Sequence, residues 1–216
     1  NFGGSFSSSF GDHLSNNEST FYNIDQVTVN EVDNNFEFHG PLSFLNNGSF
    51  LVSAREYNSS GWLFGKNVFD RDDTVPIQQF IQIAQMNMTD QERLAGIEIP
   101  DSLMTGDGDF VPLNNRKTSS YFSKITFFPL KKLKISFSSI YNYNKGKSYS
   151  NSRRYSPYGV PTSYSRDLSQ IISFNHMLSN KIFYTLTYSK YSNESKRYLF
   201  QDELDNYYQG VPFSSN

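Results

Sequence analysis

Apolar and polar residues alternate one for one in seven separate stretches of the chain. The first sets Phe2, Gly4, Phe6, Ser8 and Phe10 against Gly3, Ser5, Ser7 and Ser9, a period of two that no helix gathers into a single face. In the second, Phe36, Phe38, Gly40 and Leu42 alternate with Glu37, His39, Pro41 and Ser43. Asn46-Asn47-Gly48 supplies residues that tolerate positive φ, and the chain returns as Phe50, Val52 and Ala54 against Leu51, Ser53 and Arg55, which predicts a hairpin. Tyr121, Ser123, Ile125 and Phe127 form the fourth stretch. After a short turn over Pro129 to Lys132, Leu133, Ile135, Phe137, Ser139, Tyr141 and Tyr143 form the fifth. Leu168, Ile172, Phe174 and Leu178 share a face in the sixth, Ser179-Asn180 turns the chain, and Ile182, Tyr184, Leu186 and Tyr188 complete the seventh.

The connections between these strands run long, short, long, short, long, short. The longest, about Asn58 to Thr118, holds Pro76, Pro100 and Pro112. Within it, Ile77, Phe80, Ile81, Ala84 and Met88 fall at helical spacing, and Thr89-Asp90-Gln91-Glu92 fits a capping box, so one or two short helices are expected there. A second, polar loop spans Asn144 to Arg166. Long loops gathered at one end and short turns at the other are the habit of bacterial outer-membrane barrels.

Aromatic residues mark both ends of the expected strands. Phe44, Phe50, Phe127, Phe128 and Phe183, with Leu130, lie near the short turns; Phe10, Tyr57, Tyr121, Tyr141, Tyr143, Tyr188 and Tyr191 lie near the long loops. Two such bands suit membrane interfaces, where a ring is apolar and its hydroxyl stays wet. Seven strands in lipid would leave unpaired N–H and C=O groups at both edges, so the segment is expected to belong to a larger closed sheet.

Composition agrees with an all-β chain. Of 216 residues 37% are hydrophobic and 19% charged, yet 17% are aromatic, which argues against disorder. No apolar run approaches the roughly 18 residues of a spanning helix, a limit that does not apply to strands. The absence of cysteine excludes disulfides, thiolate metal sites and cysteine nucleophiles. A net charge of −2 gives no general attraction to nucleic acid. The chain opens on Asn1 without an initiator Met or signal peptide, and it is expected to be a piece of a longer one.

Four stretches resemble a known family. They are Gly3-Gly4-Ser5-Phe6; Phe21-Tyr22-Asn23-Ile24-Asp25 with Phe36-Glu37-Phe38-His39-Gly40-Pro41-Leu42; Ser53-Ala54-Arg55-Glu56-Tyr57 with Gly61-Trp62-Leu63-Phe64-Gly65-Lys66; and Thr105-Gly106-Asp107-Gly108-Asp109-Phe110-Val111-Pro112-Leu113 leading into Lys124-Ile125-Thr126-Phe127. In this order they resemble the start of the barrel of a TonB-dependent outer-membrane receptor, of the type with a carboxypeptidase-regulatory-like domain ahead of its plug. The resemblance implies that residues 1–216 are a partial antiparallel transmembrane β-barrel of about seven strands, part of a roughly 22-stranded one. It also implies extracellular loops with short helices, of which 58–118 is the longest.

The implied function is active but non-enzymatic uptake of a metal chelate, vitamin or glycan across the outer membrane of a Gram-negative bacterium. Implied partners are outer-membrane lipid, the receptor's own plug and remaining strands, the TonB complex reached through a missing N-terminal region, and the small-molecule or glycan ligand. Nucleic acid is not among them, and no cofactor is expected. The plug and TonB-binding motif are absent from this sequence.

Alternation puts Glu37, His39, Arg55 and Lys124 opposite the apolar residues, on the expected lumen side. They would meet plug or ligand there, or simply supply the polarity that a wet lumen needs. Glu56 and His176 fall on the lipid-side parity and should lie near an interface, because charge at mid-bilayer costs a few kcal/mol or so. In the loops Trp62, Tyr149, Arg153, Arg154, Tyr155 and Tyr158 combine cations, rings and hydroxyls suited to an anionic chelate or a sugar, and equally to loop packing. Asp107 and Asp109, and Asp70-Arg71-Asp72-Asp73, superficially suggest calcium loops, but neither ends in the required Glu, and solvated turns are expected. His13, His39 and His176 are isolated, and no hydrolase, zinc-protease or phosphate-loop motif occurs, so neither catalysis nor a metal site is expected. Two readings compete with the receptor: a soluble all-β adhesin-like interaction domain, whose apolar faces would meet across two sheets, and a small complete outer-membrane porin.

Overall fold

The structure, a computed structural model, describes residues 1–12, 28–45, 47–69, 89, 104–150 and 153–199. Among these described residues nine strands form in chain order: β1 (Gly3–Gly11), β2 (Glu31–Leu42), β3 (Gly48–Ser59), β4 (Phe64–Lys66), β5 (Phe110–Pro112), β6 (Arg116–Leu130), β7 (Leu133–Lys147), β8 (Thr162–Ser179) and β9 (Ile182–Tyr198). Seven of them pair in sequence order, β1-β2-β3-β6-β7-β8-β9, into one antiparallel meander. The fold is therefore all-β, and each of the seven alternating stretches contributes one strand of the sheet.

Register carries the alternation from strand to strand. Phe6 pairs with Phe36, Phe36 with Ala54, Ala54 with Tyr121, Tyr121 with Tyr141, Tyr141 with Leu168 and Leu168 with Ser192. Directly paired residues share a face, so one face collects the apolar set and the other the polar set. A slip of one residue in any pairing would exchange the two. On the apolar face the Phe2 ring stacks on Phe38 at 6.1 Å, and Phe38 meets Phe50 at 5.3 Å. Tyr121 and Tyr141 stack at 6.1 Å across β6 and β7.

Antiparallel order puts the turns 43–47, 131–132 and 180–181 at one end of the sheet and the connections 12–30, 60–115 and 148–161 at the other. The first turn differs from expectation. Gly48 is already in β3, paired with Leu42, while Asn47 takes φ of 47° and the Gly48 N–H bonds to the Leu45 carbonyl. β6 runs on through Pro129 to Leu130 with a register shift after Phe127, so only Lys131 and Lys132 turn. The longest connection is shorter than 58–118, because β3 extends to Ser59 and β6 begins at Arg116. The expected helices, with their capping box, fall on 77–96 and, apart from Thr89, lie outside the described residues. A 3-10 turn forms at Pro157–Gly159.

The sheet itself has no buried core among the described residues. Phe6 on β1 is 71% exposed and Leu186 on β9 is 62% exposed. The buried apolar side chains, Val68, Phe69, Val111, Leu113 and Val160, all sit in the connections at the long-loop end. There β4 pairs with β5, and Met104 and Tyr155 close over Val68 and Phe69.

Candidate functional site

Two regions hold the sequence-selected residues: the polar face of the sheet and the packed connections above it. On the polar face, His39 pairs with Leu51 and Leu51 with Lys124, while Glu37 pairs with Ser53 and Arg55 with Ser120. Glu37, His39, Arg55 and Lys124 therefore do share one face, as alternation requires. They do not form one cluster. His39 Nδ1 lies 3.4 Å from Glu37 Oε1, two residues along β2. Arg55 instead grips Asp33 with two bonds, Nε to Oδ1 at 3.0 Å and Nη2 to Oδ2 at 2.7 Å, and Asn35 donates to the same carboxylate at 3.3 Å.

Residues not expected on the lumen side from the sequence extend this hydrogen-bonding surface. Asp167 accepts from the Tyr191 hydroxyl at 2.7 Å and from Asn193 Nδ2 at 2.6 Å, and the Thr118 hydroxyl donates to Asn144 Oδ1 at 3.0 Å. The signal was the alternation itself, which assigns Asp33, Asp167 and Tyr191 to the polar side once register is known. Tyr57, Tyr191 and Phe183 consequently do not belong with the aromatic bands of the apolar face. Their partners Asp33, Ser169 and Met177 put them on the opposite one.

Glu56 and His176 lie on the apolar face at its two ends. Glu56, three residues from the long-loop end of β3, accepts from the Ser119 hydroxyl at 2.7 Å and from the Tyr121 hydroxyl. His176, near the turn end of β8, meets the Tyr184 hydroxyl through Nδ1 at 3.2 Å. Neither polar group is left unpaired, which is what a position beside an apolar belt demands.

Trp62, Tyr149, Arg153, Arg154, Tyr155 and Tyr158 all lie at the long-loop end, and the structure divides them. Tyr155 belongs to the packed core of the connections: its carbonyl accepts from the N–H groups of Val68 at 3.1 Å and Phe69 at 3.0 Å. The Arg154 guanidinium lies 4.6 Å from the Tyr155 ring, and the Arg154 carbonyl abuts Gly65, where a Cβ would come within 2.5 Å. Arg153, by its side chain, packs over Gly159. The Tyr155 carbonyl and the Arg154 backbone tie the 148–161 connection to the 60–115 connection, whereas Arg153 packs within its own connection. Trp62 (61% exposed), Tyr149 and Tyr158 remain exposed, with Lys147 Nζ 5.7 Å from the Tyr158 ring. No ring or cation–ring contact joins Trp62 to the Arg153–Tyr158 group among the described residues.

The strap holding Trp62 is well defined. Gly61 takes φ of +82°, and a Cβ there would strike Asn114 Oδ1 at 2.2 Å. Asn114 Oδ1 accepts from the Leu63 N–H at 3.0 Å, and the Leu113 N–H donates to the Leu63 carbonyl at 2.8 Å. The acidic turn at Asp107 is likewise a closed device. Asp107 Oδ1 accepts from Asn67 Nδ2 at 2.9 Å and from the Asp109 N–H at 3.0 Å, and the Asn67 bond foremost holds its carboxyl below the usual aspartate range. Asp70-Arg71-Asp72-Asp73 lies outside the described residues. Among the described residues no three His, Cys, Asp or Glu side chains are grouped to hold a metal.

Chemically, the arrangement offers a broad field of hydroxyls, amides and paired charges on one face and an apolar field uncovered by any described residue on the other, with exposed aromatics in the connections at one end. No protein-family model, no curated protein and no solved structure matches this chain.

Proposed function

We propose that the chain is the opening barrel segment of a TonB-dependent outer-membrane receptor, with the apolar face toward lipid, the polar face toward the lumen and the long connections outside the cell. The observation that carries this reading is a seven-stranded meander whose apolar face is uncovered by any described residue, with every short turn at one end. A sandwich needs a second sheet over that face, whereas lipid makes one unnecessary.

Strand length supports the same reading. β6 and β7 have 15 residues, β8 has 18 and β9 has 17, well beyond the roughly 9–11 that cross a bilayer. The surplus lies at the long-loop end, where charge enters the apolar face. The charge-free belt also slopes against the register: β1 and β2 carry no charge on that face, while β9 is charged from Lys190 upward. A belt oblique to the strands is what strand tilt of about 40° requires. Among the described residues β1 and β9 each pair on one side only, and in lipid further strands must complete them.

In this role the segment supplies wall, lumen lining and two or three outer loops, and it does no covalent chemistry. The lumen field of Glu37, His39, Arg55 and Lys124 meets the plug, and the exposed Trp62, Tyr149 and Tyr158 meet a small-molecule or glycan ligand that the TonB complex helps to draw inward. The test is a pair of adjacent substitutions on β7. Phe137→Arg, on the apolar face, should block assembly into the outer membrane, since an arginine at the lipid midplane costs about 2–4 kcal/mol. Ser138→Arg, on the other face, should assemble normally. Equal damage from both would reject a sheet with one face in lipid and the other in water.

A further inference from the structure

The two faces of the sheet carry unequal charge. By register the apolar face bears six cations, Lys117, Lys145, Lys147, Arg166, Lys190 and Lys196, against the two carboxylates Glu56 and Glu194. The polar face is nearly balanced, with five cations against four carboxylates. A surplus of four positive charges thus stands on one face of a chain whose net charge is −2. Five of the six lie nearer the long connections than the Tyr121–Tyr141–Leu168 row, and Lys190, opposite Gln170, stands one same-face row nearer the turns.

Their placement is costly within the sheet alone. Lys117 stands directly opposite Lys145, and Tyr164 and Lys196 continue the same row across β8 and β9. Like charges directly opposed across strands destabilise the pairing. Among the described residues neither Lys117 nor Lys145 has a carboxylate partner. Glu194 is shared by Lys196 and Arg166, the latter 3.8 Å away. Lys145 Nζ lies 5.5 Å from the Tyr164 ring and the Arg166 guanidinium 6.0 Å from the Tyr143 ring. Tyr143, Tyr164, Arg166, Glu194, Lys196 and Tyr198 line a concavity of about 200 Å³ at this level. The next paired row toward the turns is apolar, with Tyr121, Tyr141 and Leu168.

We propose that this tyrosine-lined cationic shelf binds the phosphate groups of anionic lipids in the leaflet at the long-loop end, their acyl chains lying along the apolar belt below. The inference rests on the membrane reading of the sheet. Charge complementarity names the occupant: opposed lysines with no carboxylate partner need an external anion, and an apolar belt continuous with the shelf selects an anion that carries hydrocarbon. A basic side chain near an anionic lipid surface strengthens binding by roughly fivefold.

The experiment uses the full-length protein that contains this chain, reconstituted into phosphatidylcholine vesicles. The added lipid is diphosphoryl lipid A or its dephosphorylated counterpart, and lipid retention is read by native mass spectrometry. The wild type should retain the phosphorylated form at least about tenfold better. Combined K117Q, K145Q, R166Q and K196Q should abolish that preference, while R116Q with R197Q on the opposite face should preserve it. Inorganic phosphate at equal concentration should not compete. A preference that survives the shelf variant, falls equally in the opposite-face variant or yields to free phosphate would overturn the proposal. A wild type that does not insert into vesicles at all would overturn the membrane reading beneath it, and insertion is scored before any lipid is compared.

Discussion

The Phe2 ring lies over Gly40, so close that a Cβ at Gly40 would stand 2.1 Å from Phe2 Cδ1. The ring covers the gap that the glycine leaves in β2 and reaches Phe38 and Phe50 beside it. The edge strand β1 is thereby pinned to the sheet by packing as well as by its ladder.

This relationship predicts coupled mutants. Gly40→Ala should destabilise the folded protein by about 1–2 kcal/mol, because the ring must leave its seat. Phe2→Ala should cost a similar amount by losing the stack. The double variant should cost clearly less than the sum, since the alanine methyl then fills vacated space. Urea unfolding of the vesicle-inserted protein measures all three, and strict additivity would contradict the packing.

The Arg55–Asp33 pair predicts a small effect. It has ideal two-bond geometry, but the Arg55 side chain is 54% exposed. Exposed pairs contribute about 0–1 kcal/mol. Arg55→Ala should therefore leave the unfolding midpoint nearly unchanged. A larger loss would mean that something covers the pair and excludes water from it.

Asp107 predicts a pH response in the connections. Its carboxyl is held below the usual aspartate range by Asn67 Nδ2 first and the Asp109 N–H second. A lowered folded-state value contributes stability that is present above the unfolded value and lost as pH falls through the folded one. Hydrogen exchange at the Asp109 amide should accelerate, relative to the sheet amides, as pH drops below about 4. In Asp107→Asn that acid-dependent step should be absent.

Asn114 predicts a hinge for the single tryptophan. Asn114→Ala removes the acceptor of the Leu63 N–H and should cost about 1 kcal/mol. The strap bearing Trp62 should loosen, giving lower fluorescence anisotropy with little change in emission wavelength, since the indole is already exposed. Unchanged anisotropy would show that the Leu113–Leu63 backbone bond alone holds the strap.

The sheet was legible because a period of two is written in whole side chains, Phe2 to Phe10 against Ser5 to Ser9, or Leu133 to Tyr141 against Ser136 and Ser138. Strand ends were not. β8 begins at Thr162 rather than near Leu168, and β9 continues to Tyr198 rather than Tyr188, because beyond the belt both faces turn polar and the alternation vanishes. β4 and β5 have only three residues each, too short for any period to register. The core of Val68, Phe69, Leu113 and Val160 is assembled from residues far apart in sequence inside turn-rich segments, where local patterning is silent. The same limit explains why the sequence leaves Tyr155 open between ligand contact and loop packing, while the fold shows its carbonyl bonded to the Val68 and Phe69 N–H groups.

The central claim, one face in lipid and the other in water, is tested most directly along β8. Single replacements run from Leu168→Cys through Phe174→Cys, and these 216 residues contribute no other cysteine. Each is spin-labelled in the full-length protein in vesicles, and its collisions with oxygen and with a water-soluble nickel chelate are compared. The account predicts oxygen-accessible, lipid-facing labels at 168, 170, 172 and 174 and chelate-accessible labels at 169, 171 and 173. Labels reached by the chelate at both parities, or shielded from both reagents at the even positions, would contradict it.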